Sequence, residues 1–161
     1  MSPARRVPPG PDQESVWDYP RPPSLQRSVR RIVIRLAGRT ILDTSGSWRV
    51  CETSHPPVYY VAPEDFEPGT LSPGNGSSYC EFKGAATYWH VGGGHNAGWS
   101  YENPTPAFAP MRGAVAVYPG QMDEVLLDGE PVMPQAGGFY GGWITSEVVG
   151  PFKGEPGTRG W

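Results

Sequence analysis

Val29-Arg30-Arg31-Ile32-Val33-Ile34-Arg35-Leu36-Ala37-Gly38-Arg39-Thr40-Ile41-Leu42-Asp43-Thr44 is the stretch whose reading decides the fold. Val29 to Leu36 is rich in Val and Ile, and its side chains alternate across the two faces of an extended strand. Gly38-Arg39 predicts a tight turn into a second strand, Thr40 to Thr44. Beyond it, Ser45-Gly46-Ser47 turns the chain into Trp48 to Thr53. Pro56-Pro57 breaks that run, and Val58-Tyr59-Tyr60-Val61 resumes it. Pro63-Glu64-Asp65-Phe66 predicts one helical turn, because Pro suits a first helical position and acids suit a first turn. Residues 67–78 read as a Gly/Ser/Pro loop. Further strands are expected at 79–91, 97–102, 113–118 and 123–127, with Asp128-Gly129 a hairpin turn. No stretch shows a helical stripe of apolar residues, so the chain reads as all-β with little helix.

A chain of 161 residues is the usual size of one domain and is long enough to bury a core. Its 22 Gly and 20 Pro approach the level of low-complexity sequence, but six Trp, eight Tyr and five Phe oppose disorder. The expected organisation has three parts. Residues 1–27, with seven prolines, form an extended N-terminal arm anchored by Trp17, Tyr19 and Pro20-Arg21-Pro22-Pro23. The folded body spans 28–130, and 131–161 is a C-terminal extension wrapped on it.

Charge is unevenly placed. Residues 1–40 hold eight Arg against Asp12, Glu14 and Asp18, while the rest of the chain is strongly acidic. Five of those Arg fall in or beside one expected strand, which is no basic stripe for nucleic acid. Cys51 and Cys80 lie in no CxxC or CxxH spacing, so neither a structural zinc nor any other metal is expected. The first residues lack the apolar core of a signal peptide and no apolar run reaches transmembrane length, so cytoplasmic residence with free thiols is the expectation.

Lysine is scarce. Lys83 and Lys153 are the only two, and each stands in the tripeptide Phe-Lys-Gly, at 82–84 and 152–154. An ammonium has three donors, and burial lowers its pKa, so a lysine under aromatic walls suits anion binding or acid–base chemistry. Lys83 is expected in the core beside the aromatic strand 97–102. Lys153 is expected on the outer wrap, as a surface or structural group. Trp99 and Tyr101, two apart in a strand, share a face. With Tyr60 and Tyr88 they make a wall suited to a small organic ligand, Tyr101 being half-exposed before the Asn103-Pro104 turn. Glu52 is the acid expected to pair with Lys83 as a general acid–base couple or as a structural ion pair. His55, His90 and His95 lack the spacing of a metal set. Cys80 reads as a buried structural thiol. In the tail, Gly137-Gly138-Phe139-Tyr140-Gly141-Gly142-Trp143 alternates Gly with aromatics. Tyr140 and Trp143 there suit a lid over a pocket or the seal of an open sheet edge.

Several longer motifs carry a resemblance. Glu52-Thr53, Pro57-Val58-Tyr59-Tyr60, Cys80-Glu81-Phe82-Lys83-Gly84-Ala85-Ala86-Thr87-Tyr88-Trp89, Ala97-Gly98-Trp99-Ser100-Tyr101 and Ala114-Val115-Ala116-Val117-Tyr118 resemble the DUF427 family, a domain of unknown function, over about residues 28–130. Gln13 to Pro23 and Gly138 to Trp161 extend the likeness to one subset of that family. The resemblance implies a two-sheet β-tent of the kind seen in Mss4-like proteins. Those relatives hold zinc through paired CxxC motifs that this chain lacks. It implies no catalytic residue, because the family has no settled activity. The expected function is a cofactor-independent enzyme acting on a small molecule, with Lys83 and Glu52 catalytic. The alternatives are a metabolite-binding module without turnover and a protein-interaction scaffold. Neither nucleic acid nor membrane is an expected partner, and no oligomeric state is specified.

Overall fold

A computed structural model of the chain describes residues 5–161, and within them the protein is all-β, its helical segments being short 3-10 turns. Three sheets carry the body. Sheet I orders Glu130–Pro131, Glu124–Leu127, Ile32–Leu36 and Arg39–Thr44. Sheet II orders Val115–Val117, Gly94–Ser100, Gly84–Val91 and Leu71–Cys80, and sheet III orders Ser24–Ser28, Ser47–Cys51 and Val58–Tyr60. Paired main-chain bonds between Val61 and Val115, of 2.9 and 2.7 Å, join sheets II and III.

The alternating pattern at 29–36 is real but starts later than expected. Ile32 and Ile34 are fully buried against Val125 and Leu127, whereas Val29 is 84% exposed. Residues 29–31 are the crossing between sheet III and sheet I, so Val29 belongs to neither face. The turn that follows is centred on Ala37 and Gly38, both with positive φ, which matches the twist of a two-residue hairpin. Asp128 and Gly129 repeat that geometry and produce the expected hairpin.

Sheet II has two apolar faces. Val91, Val115 and Val117 pack on sheet I together with Tyr59 and Trp143. Ala86, Trp99 and Ala116 face the opposite way, toward Val50 and Tyr60 of sheet III. Two expectations fail here. The loop expected at 67–78 contains the strand Leu71–Cys80, and the strand expected at 79–91 is cut by a reversal through Glu81-Phe82-Lys83. Gly84 closes that reversal at φ 109°, a conformation that side chains resist, and Cys80 pairs with Gly84 across it.

Arm and tail are part of the body. Ser24–Ser28 pairs with Ser47–Cys51, so the sheet begins ahead of the expected Ser28. Glu14–Ser15 pairs in parallel with Val148–Val149, and Met133–Pro134 pairs with Trp143–Ile144. Val16 is fully buried, and the Trp17 indole N–H donates to the Pro151 carbonyl at 2.9 Å while its ring meets Trp161 edge-on. Arg49, itself buried, ties these pieces together. Its guanidinium donates to Glu14 at 2.6 Å, Tyr19 at 3.1 Å, Gln26 at 3.1 Å and Tyr59 at 3.2 Å. Glu147 of the tail accepts from the Tyr59 hydroxyl at 3.2 Å and pairs with Arg30.

Arg49 is buried although its partner Glu14 is half-exposed, so what its removal costs is the packing of its stem and several charge-assisted hydrogen bonds, each worth roughly 1.5–3 kcal/mol at most. Arg49→Met is therefore expected to destabilise the fold by about 2–3 kcal/mol, the lost hydrogen bonds being partly replaced by water at the exposed Glu14. Amide exchange should also accelerate at 14–19 and 145–149 ahead of the sheets. Urea unfolding with exchange mass spectrometry checks this, and a loss below about 1 kcal/mol with unchanged exchange contradicts it.

Candidate functional site

Between sheets II and III, under the tail, lies a cavity of about 350 Å³. That is toward the small end of sites for organic ligands. Its inner wall is aromatic. The Trp99 indole N–H donates to the Tyr60 hydroxyl at 3.2 Å, and Tyr118 lies against Trp99 with ring centroids 4.6 Å apart. Tyr101 sits 6.3 Å from Tyr60, centroid to centroid, and Tyr88 donates to Ser78 at 2.9 Å on the flanking strand. Tyr101 is only 7% exposed, not half-exposed, because the chain after it folds back and the Gly113 N–H bonds its carbonyl at 3.1 Å. Burial holds the hydroxyls of Tyr60 and Tyr101 protonated well above the ordinary tyrosine range and pushes Tyr118 up to about 12.

The tail forms the outer wall through Gln135, Phe139, Tyr140, Gly141 and Lys153. Gly141 has no substitute here, since a Cβ would fall on the Trp99 indole. Trp143, expected as a lining residue, is not brought to this cavity. It is 2% exposed, stacks 4.8 Å from Tyr59, and belongs to the core against sheet I. A tail that alternates glycine pairs with aromatics sends Tyr140 and Trp143 to different cores.

Both lysines line the cavity. The reversal at 81–83 delivers Lys83, whose carbonyl accepts from the Thr105 N–H at 3.2 Å. Its ammonium lies 5.8 Å from the centroid of the Tyr101 ring. Lys83 is 9% exposed, and no hydrogen bond or ion pair holds its ammonium among the described residues. Lys153 departs from expectation by lying half-buried in the site rather than on an outer surface. Its N–H bonds the Ser54 carbonyl at 2.8 Å, its ammonium lies 5.8 Å from the Tyr140 ring centroid, and it donates to the Trp161 main-chain oxygen at 3.1 Å. The repeated tripeptide has a shared local cause. Gly154, like Gly84, has positive φ (124°), so each lysine precedes a glycine that reverses the chain.

The expected Lys83–Glu52 pair does not form. Glu52 instead lies 3.6 Å from Arg21 Nε and 3.8 Å from His55 Nε2. His55, considered from the sequence only as a member of a metal set, lines the cavity 5.3 Å from Tyr140, centroid to centroid. Gln135, itself buried, fixes its tautomer. Gln135 Oε1 accepts from the Gly142 N–H at 3.1 Å, so its amide nitrogen donates to the Lys153 carbonyl at 2.7 Å and to His55 Nδ1 at 3.1 Å. Nε2 therefore carries the proton. Burial, reinforced by the charges of Lys153, Arg21 and Lys83, lowers the His55 pKa to about 4, and the carboxylate of Glu52 does not offset them. His90 and His95 stack on each other at the far hairpin, 4.8 Å apart, away from His55. Cys80, expected to be buried, is half-buried in the cavity wall, and both cysteines are free.

A family model for a domain of unknown function, DUF427, matches residues 24–128. The chain belongs to the DUF427 family. Its match begins where sheet III begins, at Ser24, and ends at the Asp128 turn. The tail residues Gln135, Tyr140 and Lys153, which line the cavity, lie outside the matched span. No curated protein matches the chain. No helix among the described residues is long and apolar enough to cross a membrane.

The depressed His55 sets a pH dependence with a definite sign. In the unfolded chain it binds a proton near pH 6.5, and in the fold only near 4. Its neutral burial thus contributes fully above about pH 6.5 and is lost progressively as pH falls toward 4, a span worth roughly 3 kcal/mol. The imidazole NMR signals of His55 are expected to titrate near 4, and His55→Gln should flatten the stability–pH curve across that window. A midpoint above 6, or identical curves, contradicts the assignment.

Proposed function

We propose that this DUF427 protein binds a small aromatic or otherwise planar organic anion in the cavity between sheets II and III. The observation that carries this is Lys83, a residue only 9% exposed whose ammonium has no hydrogen-bond or ion-pair partner among the described residues and lines an aromatic-walled cavity. An ammonium solvated only within the cavity keeps its donors open, and an anionic ligand gives it charge-assisted hydrogen bonds. Selection for binding explains a lysine there better than selection for stability. Trp99, Tyr101, Tyr60, Tyr88 and Tyr140 supply apolar faces for the ligand body, and protonated hydroxyls supply donors at its edge. The free thiols suit a reducing compartment such as the cytoplasm.

A second reading, turnover by acid–base chemistry, draws on one contact. Glu52 lies 3.8 Å from His55 Nε2, close enough for the two to exchange a proton through a bound ligand or water. On that reading Glu52 works with His55, and Lys83 holds the anion.

Titration calorimetry with a panel of aromatic acids and their neutral amides tests the binding reading. An acid should bind, its amide should not, and Lys83→Met should weaken the acid by roughly tenfold to a hundredfold, the worth of a charge-assisted hydrogen bond. The same variant should be as stable as the parent or more so. A Lys83→Met protein that loses several kcal/mol of stability yet binds the acid unchanged assigns Lys83 a structural role instead.

A further inference from the structure

The chain's only two lysines, far apart in sequence, line one cavity. Glu52 is the single carboxylate among the lining residues, and Arg21, outside the lining, stands 3.6 Å from it. Two ammonium charges are thus left facing the cavity. Lys153 donates to the Trp161 main-chain oxygen at 3.1 Å, its one side-chain hydrogen bond among the described residues, and a bound anion can compete for that ammonium. His55 adds a third donor. With Nδ1 occupied by the Gln135 amide, its Nε2–H is the remaining donor, 3.8 Å from Glu52 Oε2 and so beyond hydrogen-bond reach of it, and His55 and Lys153 lie 5.3 and 5.8 Å from the Tyr140 ring centroid.

Resting on the binding reading above, we infer that the ligand is a phosphate monoester of a small aromatic or planar molecule, its phosphate held by Lys83, Lys153 and the His55 Nε2–H. The match is one of charge and donor number. A phosphate monoester near neutral pH carries close to two negative charges and three acceptor oxygens. A carboxylate carries one charge and two oxygens, which leaves one ammonium uncompensated in a partly dry site. Lysine suits this head group as a compact charge with rotatable donors, whereas planar carboxylates favour the fork of arginine. The cavity has no arginine among its lining residues. Trp99 and Tyr118, with rings 4.6 Å apart, and Tyr101 offer the apolar surface for the organic part. The small volume favours a single ring over an extended chain.

Calorimetry at pH 7.5 with phenyl phosphate, benzoate and inorganic phosphate, on the full chain, separates the possibilities. Phenyl phosphate is expected to bind at least tenfold more tightly than benzoate, and inorganic phosphate more weakly than phenyl phosphate for want of the ring. Lys153→Met should erase most of the preference for phenyl phosphate over benzoate, and Lys153→Arg, which keeps the charge, should retain most of it. Benzoate binding as tightly as phenyl phosphate overturns this inference and leaves the anion-binding reading standing. A preference that survives Lys153→Met overturns the two-lysine cradle. Failure of every acid to bind removes both readings together.

Discussion

Arg49 is buried, and a buried guanidinium is tolerable only when its donors are occupied and its charge is met. No single element of the chain meets that requirement. Gln26 and Tyr59 come from sheet III, Glu14 and Tyr19 from the arm, and Glu147 from the tail stands 3.8 Å away and shares the Tyr59 hydroxyl. The charge therefore requires arm and tail to be docked before the sheet is at rest. Once Glu147 is fixed, the short ladders of Val148–Val149 and Trp143–Ile144 follow, and residues 135–141 are held over the open side of sheets II and III. The cavity is the space this docking encloses.

Sheet II explains why the enclosed space is aromatic. A strand buried on both faces must supply apolar side chains at successive positions, and Gly94–Ser100 with Val115–Val117 does so by placing small residues beside large ones. Gly98 lets Val91 and Val115 close against the strand on the side of sheet I. Trp99 then turns its ring to the other side, where the bare backbone of Gly141 lies on it. The face toward sheet I fills completely. The face toward sheet III does not, and the surplus room is lined by Lys83, Lys153, His55 and the tyrosines. Packing thus accounts for the walls, while two lysines in a chain otherwise supplied with arginine have no packing explanation.

Much of the β-architecture was legible because its determinants are local. The alternation Ile32-Val33-Ile34, the turn residues Asp128-Gly129 and the aromatic pair Trp99 and Tyr101 each act through their own neighbours. What escaped was set by distant partners. Leu71–Cys80 carries Ser, Gly, Asn and Pro and has no apolar face of its own; Gly84–Val91 draws it into an edge strand through backbone bonds. The reversal at 81–83 hides inside a run that reads as one strand, since only the positive φ of Gly84 betrays it. The same holds for the site. Tyr60, Tyr88, Trp99, Tyr101, Tyr140, Glu52 and Lys83 converge on the cavity, but Trp143 was drawn into the other core by Tyr59. Lys153, Gln135 and His55 were missed because a tail residue and a loop residue meet only after docking. The repeated Phe-Lys-Gly was the one signal in the sequence that linked them.

Two lysines serving one bound anion, as proposed, is directly measurable because the chain has no other lysine. Reductive methylation with ¹³C-formaldehyde keeps the ammonium charge and labels Lys83 and Lys153 as two lysine signals, assigned with Lys83→Arg and Lys153→Arg. On titration with phenyl phosphate, both signals should shift with the same concentration dependence, whereas benzylamine should move neither. Movement of one lysine alone, or of neither while the ligand binds elsewhere, contradicts the account.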